Sequence, residues 1–238
     1  MKELKNAVVT GATKGIGRAV VNRLAKEGMS VLFCARNAQE VAAMQSELQQ
    51  AYPQQSFYGI VADVSKASER LMLGETIQNT FKRIDLLLNN AGVFLPGGVH
   101  TEAEGTLELL TETNLYSAYH LARACLPLMI PHKSGHIFNL CSTASIEAYV
   151  NGGSYGITKF ALLGMSKVLR EEMKAYDIKV TALLPGATYT ASWEGSGLPE
   201  SRFMQANDVA DMLWACYQLS ASAVVEEILM RPLVGDID

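Results

Sequence analysis

The sequence is poor in the features that mark several broad protein classes. No apolar run approaches the roughly 18 residues of a membrane-spanning helix, so none is expected. Met1-Lys2-Glu3-Leu4-Lys5 runs straight into the strand-like Ala7-Val8-Val9. The apolar stretch of about 7–15 residues that marks a secretory signal is missing there, so no signal peptide is expected. Basic runs are missing too. With a formal net charge of −4 and no cluster of Lys and Arg to neutralise successive phosphates, nucleic acid is not an expected partner. Only four cysteines occur (Cys34, Cys125, Cys141, Cys216), without a CxxC pair. They read as small reduced hydrophobes in a cytoplasmic chain. No Pro/Gly/Ser linker, low-complexity tract or break in composition divides the chain, so residues 1–238 are expected to form a single domain.

What is present points to an α/β fold. Of the 238 residues 49% are hydrophobic and 18% charged, enough to bury a large core. Short apolar runs alternate with helical periodicity. Strands are expected over 6–10, 30–35, 57–63, 85–89, 136–141, 179–184 and 227–230. Most are continuous rather than alternating, as in a parallel sheet covered on both faces. Val41, Met44 and Leu48, and again Leu162, Met165 and Leu169, recur at helical spacing. The β-α-β-α order predicts a doubly wound, Rossmann-type parallel sheet of about seven strands with helices on both faces. The stretch 186–205, rich in Gly, Ser and small residues, leaves the carboxyl end of a strand and is expected to be a substrate lid. Asn207-Asp208 reads as the cap of the helix that follows.

The first strand ends in Thr10-Gly11-Ala12-Thr13-Lys14-Gly15-Ile16-Gly17, immediately before a helix. Glycines at such a turn let the backbone approach a pyrophosphate whose charge rests on the helix N-terminus. The G-x-x-x-G-x-G spacing differs from the G-x-G-x-x-G of long-chain dinucleotide folds. NAD-specific folds place an acid after the second strand to bond the ribose 2′-hydroxyl. Here that stretch reads Phe33-Cys34-Ala35-Arg36-Asn37, with Arg36 and no acid. Arg36 and Lys14 could be ordinary surface cations, but their joint placement suits a 2′-phosphate and predicts NADP(H).

Tyr155 and Lys159 stand at i and i+4, on one face of a helix. A phenol with a pKa near 10 is a weak base at neutral pH, and a nearby ammonium is expected to lower that value. Ser142, after the fifth strand, is placed to bond a substrate carbonyl oxygen. Tyr-x-x-x-Lys alone is common; beside a phosphate turn and a strand-end serine it reads as a reacting centre. His132 and His136 are also four apart, but they flank Ser134-Gly135 in an apparent loop. Both are expected at the surface, and no catalytic metal is expected. Tyr149, Tyr189 and Trp193 either line a substrate pocket or pack the lid down.

These motifs, in this order, resemble the short-chain dehydrogenase/reductase family over nearly the whole chain, in its compact TGxxxGxG/YxxxK branch. The resemblance implies cofactor contacts from the glycine turn (Gly11, Thr13, Lys14, Gly15, Ile16, Gly17) and from Asp63-Val64 beside the adenine. Asn90, Ala91 and Gly92 of Asn89-Asn90-Ala91-Gly92, and Pro185, Gly186, Thr188 and Thr190 on the nicotinamide side, are implied as well. It further implies that Tyr155 gives or takes the hydroxyl proton and that Ser142 positions the substrate oxygen. Lys159 would hold the ribose and tune Tyr155, Asn114 would anchor a proton-relay water, and the chain would form a homodimer or homotetramer built on the fourth and fifth helices. Cys141 stands where many relatives have a second serine, and Ser145 where glycine is frequent. The tail from Val224 to Pro232 is similar to that of bacterial sepiapterin-reductase-like members.

The expected activity is hydride transfer between NADP(H) and a small-molecule carbonyl/alcohol pair, as in a carbonyl reductase. A sepiapterin-like ketone, a 3-oxoacyl thioester on a carrier protein, and an alcohol or sugar oxidised in reverse remain open. The segment 186–205 offers only Arg202 as a base against Glu194 and Glu200, which weighs against the carrier protein. An NADP(H)-binding sensor without turnover is the rival of another class. It has no need of Asn114, Ser142, Tyr155 and Lys159 together.

Overall fold

The computed structural model describes residues 5–190, 193 and 197–237. Seven parallel strands form one sheet in the order β3-β2-β1-β4-β5-β6-β7. They are β1 (Asn6–Thr10), β2 (Ser30–Ala35), β3 (Phe57–Val61), β4 (Leu86–Asn89), β5 (Gly135–Leu140), β6 (Ile178–Pro185) and β7 (Glu227–Met230). The helices between them are α1 (Gly15–Lys26), α2 (Ala38–Ala51), α3 (Ala67–Thr80), α4 (Thr106–Thr111), α5 (Ser117–Cys125), α6 (Gly153–Met173) and α7 (Ala206–Tyr217).

The apolar strand runs follow from this layering. In β1, Ala7 and Val9 pack among α1, α2 and α7 on one face, whereas Val8 points into the core under α3 and α5 on the other. A strand clothed on both sides has no solvent face on which to alternate. Phe33 of β2 and Phe138 of β5 are among the largest fully buried side chains. Truncating either to alanine would cost about 3–5 kcal/mol. The chain winds outward in both directions from β1 and β4, so the loops after these neighbours diverge at their carboxyl ends and open a crevice there.

Three local expectations are corrected. The third strand stops at Val61 rather than Asp63. The Asp63 carboxylate accepts from the N–H of Ser65 at 3.0 Å and from its hydroxyl at 2.7 Å, and this side-chain turn takes the backbone out of the ladder. Helix α7 is capped by Gln205 rather than Asn207-Asp208. Asp208 instead reaches back from the third helical position to accept the Gln205 N–H at 2.9 Å. His136 is buried within β5 rather than exposed. One ring nitrogen lies 2.7 Å from the Thr181 hydroxyl, the ring stacks on Phe138, and the other ring nitrogen has no partner. His132 sits exposed near the Lys82 carbonyl, so the two do not form a pair.

Candidate active site

A cleft of about 1340 Å3 runs along the carboxyl ends of the strands, from the α1 turn to the segment after β6. It exceeds the 300–1,000 Å3 typical of small-ligand pockets and has room for a dinucleotide with a second molecule.

The turn between β1 and α1 forms one end. Gly11 has φ of +63°, a left-handed conformation that glycine adopts without strain. A Cβ on Gly17 would lie 2.3 Å from the Gly11 carbonyl and 2.6 Å from the Asn90 side-chain nitrogen, so only glycine lets the turn close on its support. That support is a small network. Thr10 Oγ1 accepts from the N–H groups of Asn90 and Ala91, and Asn90 Nδ2 donates to the carbonyls of Thr10 and Gly11. No side chain caps the first turn of α1. Its N-terminal amides are therefore left for an anion, and the cradle fits a pyrophosphate.

Thr13, Lys14, Gly15, Ile16, Arg36, Asp63, Val64, Asn90, Ala91 and Gly92 all line this part of the cleft; Gly17 lies beneath it. Burial raises the Asp63 carboxyl, but the Ser65 hydrogen bonds and the charges of Arg36 and Lys66 outweigh it and hold the group below its ordinary range. Glu40, which the sequence reading passed over, also lines the cleft and binds both Thr13 and Lys14. Its place in the first turn of α2, four residues past Arg36, was the available signal.

The other end is built by β5 and α6. Ser142, two residues past β5, lies in extended conformation and accepts the Ala144 N–H at 3.2 Å. Its hydroxyl also bonds that of Tyr155, in the first turn of α6. The Tyr155 ring stands edge-on to Phe94, with centroids 4.9 Å apart. Lys159, one turn on, is buried; its ammonium donates to the Leu140 carbonyl at 2.7 Å and lies 5.7 Å from the Tyr155 ring centre. Burial lowers the Lys159 pKa to about 8. The Tyr155 phenol moves opposite to the sequence expectation. Burial raises it above its ordinary value, the Ser142 hydrogen bond opposes this only in part, and Lys159 does not reverse it. Tyr155 is thus held as a neutral phenol, the form able to donate a proton.

Asn114 does not line the cleft but braces it. The helical hydrogen bonding widens to a π turn over Glu112–Tyr116, between α4 and α5, and the buried Asn114 lies within it. Its side chain accepts from Val93 N at 2.8 Å and donates to Val93 O and to Thr158 Oγ1, both at 3.0 Å. This ties the chain after Gly92 to α6. Such widened turns are frequent at functional sites.

Pro185 at the end of β6, and Gly186, Thr188 and Thr190 after it, line the cleft. Part of the expected lid, residues 191, 192 and 194–196, lies outside the described residues. The rest is fastened at its base. Tyr189 N donates to Met204 O at 2.8 Å, Met204 N donates to Ala187 O at 3.1 Å, and Tyr189 and Trp193 both pack on Phe203. Trp193 and Tyr149 line the cleft; Tyr189 does not. Two further contributors, Asp236 and Ile237, come from the C-terminal tail. Arg202 donates to the carbonyls of Gly235 at 2.8 Å and Asp236 at 2.5 Å, and Arg231 pairs with both Asp236 and Glu147. No local motif marks this tail, because only long-range folding brings it to the cleft. Among the described residues no three His, Cys, Asp or Glu side chains cluster to hold a metal, and no helix is long and apolar enough to cross a membrane.

The family model for short chain dehydrogenases matches residues 5–199. The chain belongs to that family of oxidoreductases. It is 29% identical over 229 residues to an uncharacterized oxidoreductase of Staphylococcus epidermidis, covering 96% of this chain and 97% of that one. It is also 29% identical over 238 residues to a sepiapterin reductase of Chlorobaculum tepidum, with 97% of each covered. Among solved structures it is similar to a metagenomic short-chain oxidoreductase in complex with NADP, with a TM-score of 0.82, 29% identity and 96% of each chain covered.

Proposed function

We propose that this chain is an NADP(H)-dependent reductase of a small carbonyl compound, with Tyr155 as its proton donor. The observation that carries the reading is the joining of two ends in one cleft: Ser142, Tyr155 and Lys159 at one, the glycine turn with Lys14 and Arg36 at the other. The similarity to an oxidoreductase holding NADP supports the same cofactor.

The turn amides and Asn90–Gly92 would hold the dinucleotide, Lys14 and Arg36 its 2′-phosphate, and Pro185 to Thr190 its nicotinamide side. The bound cofactor supplies the hydride. Ser142 hydrogen-bonds the substrate oxygen and keeps it beside the phenol. Tyr155 gives that oxygen its proton. The Lys159 ammonium opposes the charge left on the phenolate and holds the ribose. Asn114 fixes the cleft wall against α6, and the family resemblance adds a relay water at that point. The walls at the reacting end include Phe94, Tyr149 and Trp193, with Glu147 and Asp236 as acids. This lining, with the sepiapterin reductase similarity, supports a compact ketone over a thioester presented by a carrier protein. We further propose a single-domain, cytoplasmic homodimer or homotetramer.

Titration with NADPH and NADH, followed by diketone and pterin substrates scored by loss of absorbance at 340 nm, tests the reading. NADPH is expected to bind more tightly and to be consumed. Tyr155→Phe is expected to lower turnover by about 10²–10⁴-fold while NADPH affinity stays within about twofold. Equal turnover in that variant rejects Tyr155 as the donor, and tight NADPH binding without turnover of any carbonyl favours a sensor.

A further inference from the structure

We propose that Glu40 is a cofactor-selectivity residue: a resident counter-anion that occupies Lys14 in the ligand-free protein and is displaced by a ribose 2′-phosphate. The inference rests on the NADP(H) reading above and adds to it a residue that opposes binding.

Glu40 lies in the first turn of α2, and its backbone N–H is held by the Asn37 cap at 3.1 Å. Its carboxylate spans two consecutive residues of the phosphate turn. One oxygen lies 2.9 Å from the Lys14 ammonium and the other accepts from the Thr13 hydroxyl, also at 2.9 Å. Lys14 first, and then Thr13, hold the carboxyl below its ordinary pKa, so it is ionised at neutral pH. Arg36 lines the same end of the cleft. That end therefore offers two cations, Lys14 and Arg36, and two carboxylates, Asp63 bound to Ser65 and Glu40 bound to Lys14, to a group carrying about 1.5–2 negative charges.

A 2′-phosphate drawn to Lys14 and Arg36 competes with Glu40 for the same ammonium and meets its charge at short range. NADH has a hydroxyl at that position and leaves the Lys14–Glu40 pair in place. Glu40 therefore weakens NADPH binding selectively, and the cleft trades affinity for a readily exchanged cofactor. The pair is open to solvent, with the Lys14 and Glu40 side chains 67% and 31% exposed, so the exchange needs no backbone rearrangement.

The test is direct binding, read by nucleotide fluorescence for NADPH and NADH and by calorimetry for 2′,5′-ADP against 5′-ADP. Thermal melting checks that each variant is folded. In Glu40→Gln, NADPH and 2′,5′-ADP are expected to bind roughly fivefold more tightly or better, with NADH and 5′-ADP changed by less than about twofold. The gain is expected to shrink in a Lys14→Met background, where no ammonium remains to be released. Weaker NADPH binding in Glu40→Gln, or equal changes for NADPH and NADH, overturns the proposal. So does an undiminished gain in the Lys14→Met background, which would mean simple repulsion without displacement. A wild-type protein that does not prefer NADPH shows instead that the NADP(H) reading fails, and the proposal falls with it before any substitution is made.

Discussion

Tyr155 and Lys159 shift in opposite senses from one cause, because burial favours the neutral form of each. Burial keeps the phenol protonated, ready to donate. Burial also brings the ammonium down to about 8. Below that value Lys159 is charged and opposes the phenolate left by proton transfer; above it the charge is lost. Reductive turnover at saturating cofactor is therefore expected to fall as pH rises through about 8. A rate that stays level to pH 9.5 would remove Lys159's charge from the mechanism. Residue types and spacing in the sequence sufficed to find this pair. They did not reveal its electrostatics, because burial of the α6 face is a property of the packed protein. Glu40, Glu147 and Asp236 escaped for a related reason: a carboxylate declares its role only once its neighbours are known.

At the scale of elements, all seven strands were legible as apolar runs, and their ends were less so. The ladder ends where side chains such as Asp63 take over the backbone's hydrogen bonds, a local competition that hydrophobic pattern does not record. The π turn at Asn114 was likewise hidden, since its sequence is compatible with an ordinary helix. His136 shows what an unrecognised buried polar group does to an element. Burial lowers its pKa from 6.5 to about 3, so it is neutral in β5. As pH falls below 6.5 the unfolded chain takes up this proton and the folded chain does not. The difference costs about 1.4 kcal/mol per pH unit until the folded value is reached. Melting temperature is expected to fall between pH 6.5 and 4, and less steeply in His136→Gln. Identical slopes would place the acid sensitivity elsewhere.

For the molecule as a whole, the doubly wound sheet and its cleft followed from strand–helix alternation together with the ordered motifs. The proposed homodimer or homotetramer is placed by the family resemblance on the fourth and fifth helices, and the side chains exposed there are in keeping with that placement. Leu107 and Leu109 of α4, Tyr116 of the π turn and Tyr119 of α5 are each exposed by more than 40%. An apolar surface of this kind on one helical segment is characteristic of an interface. Light scattering after gel filtration is expected to give a mass of two or four chains. Replacing Leu109 and Tyr119 together by Lys is expected to lower it, and a monomeric wild type would sink the assembly proposal.

The tail around Gly235–Ile237 has a practical consequence. Arg202 and Arg231 fasten it against the cleft, so an extension attached after it would start from residues that line the cleft. A purification tag at that end would compete with substrate or loosen the wall it enters by. A tag at the other terminus joins the chain before β1, whose start lies at the sheet end opposite the cleft, so kinetic work on this protein is best begun from that version.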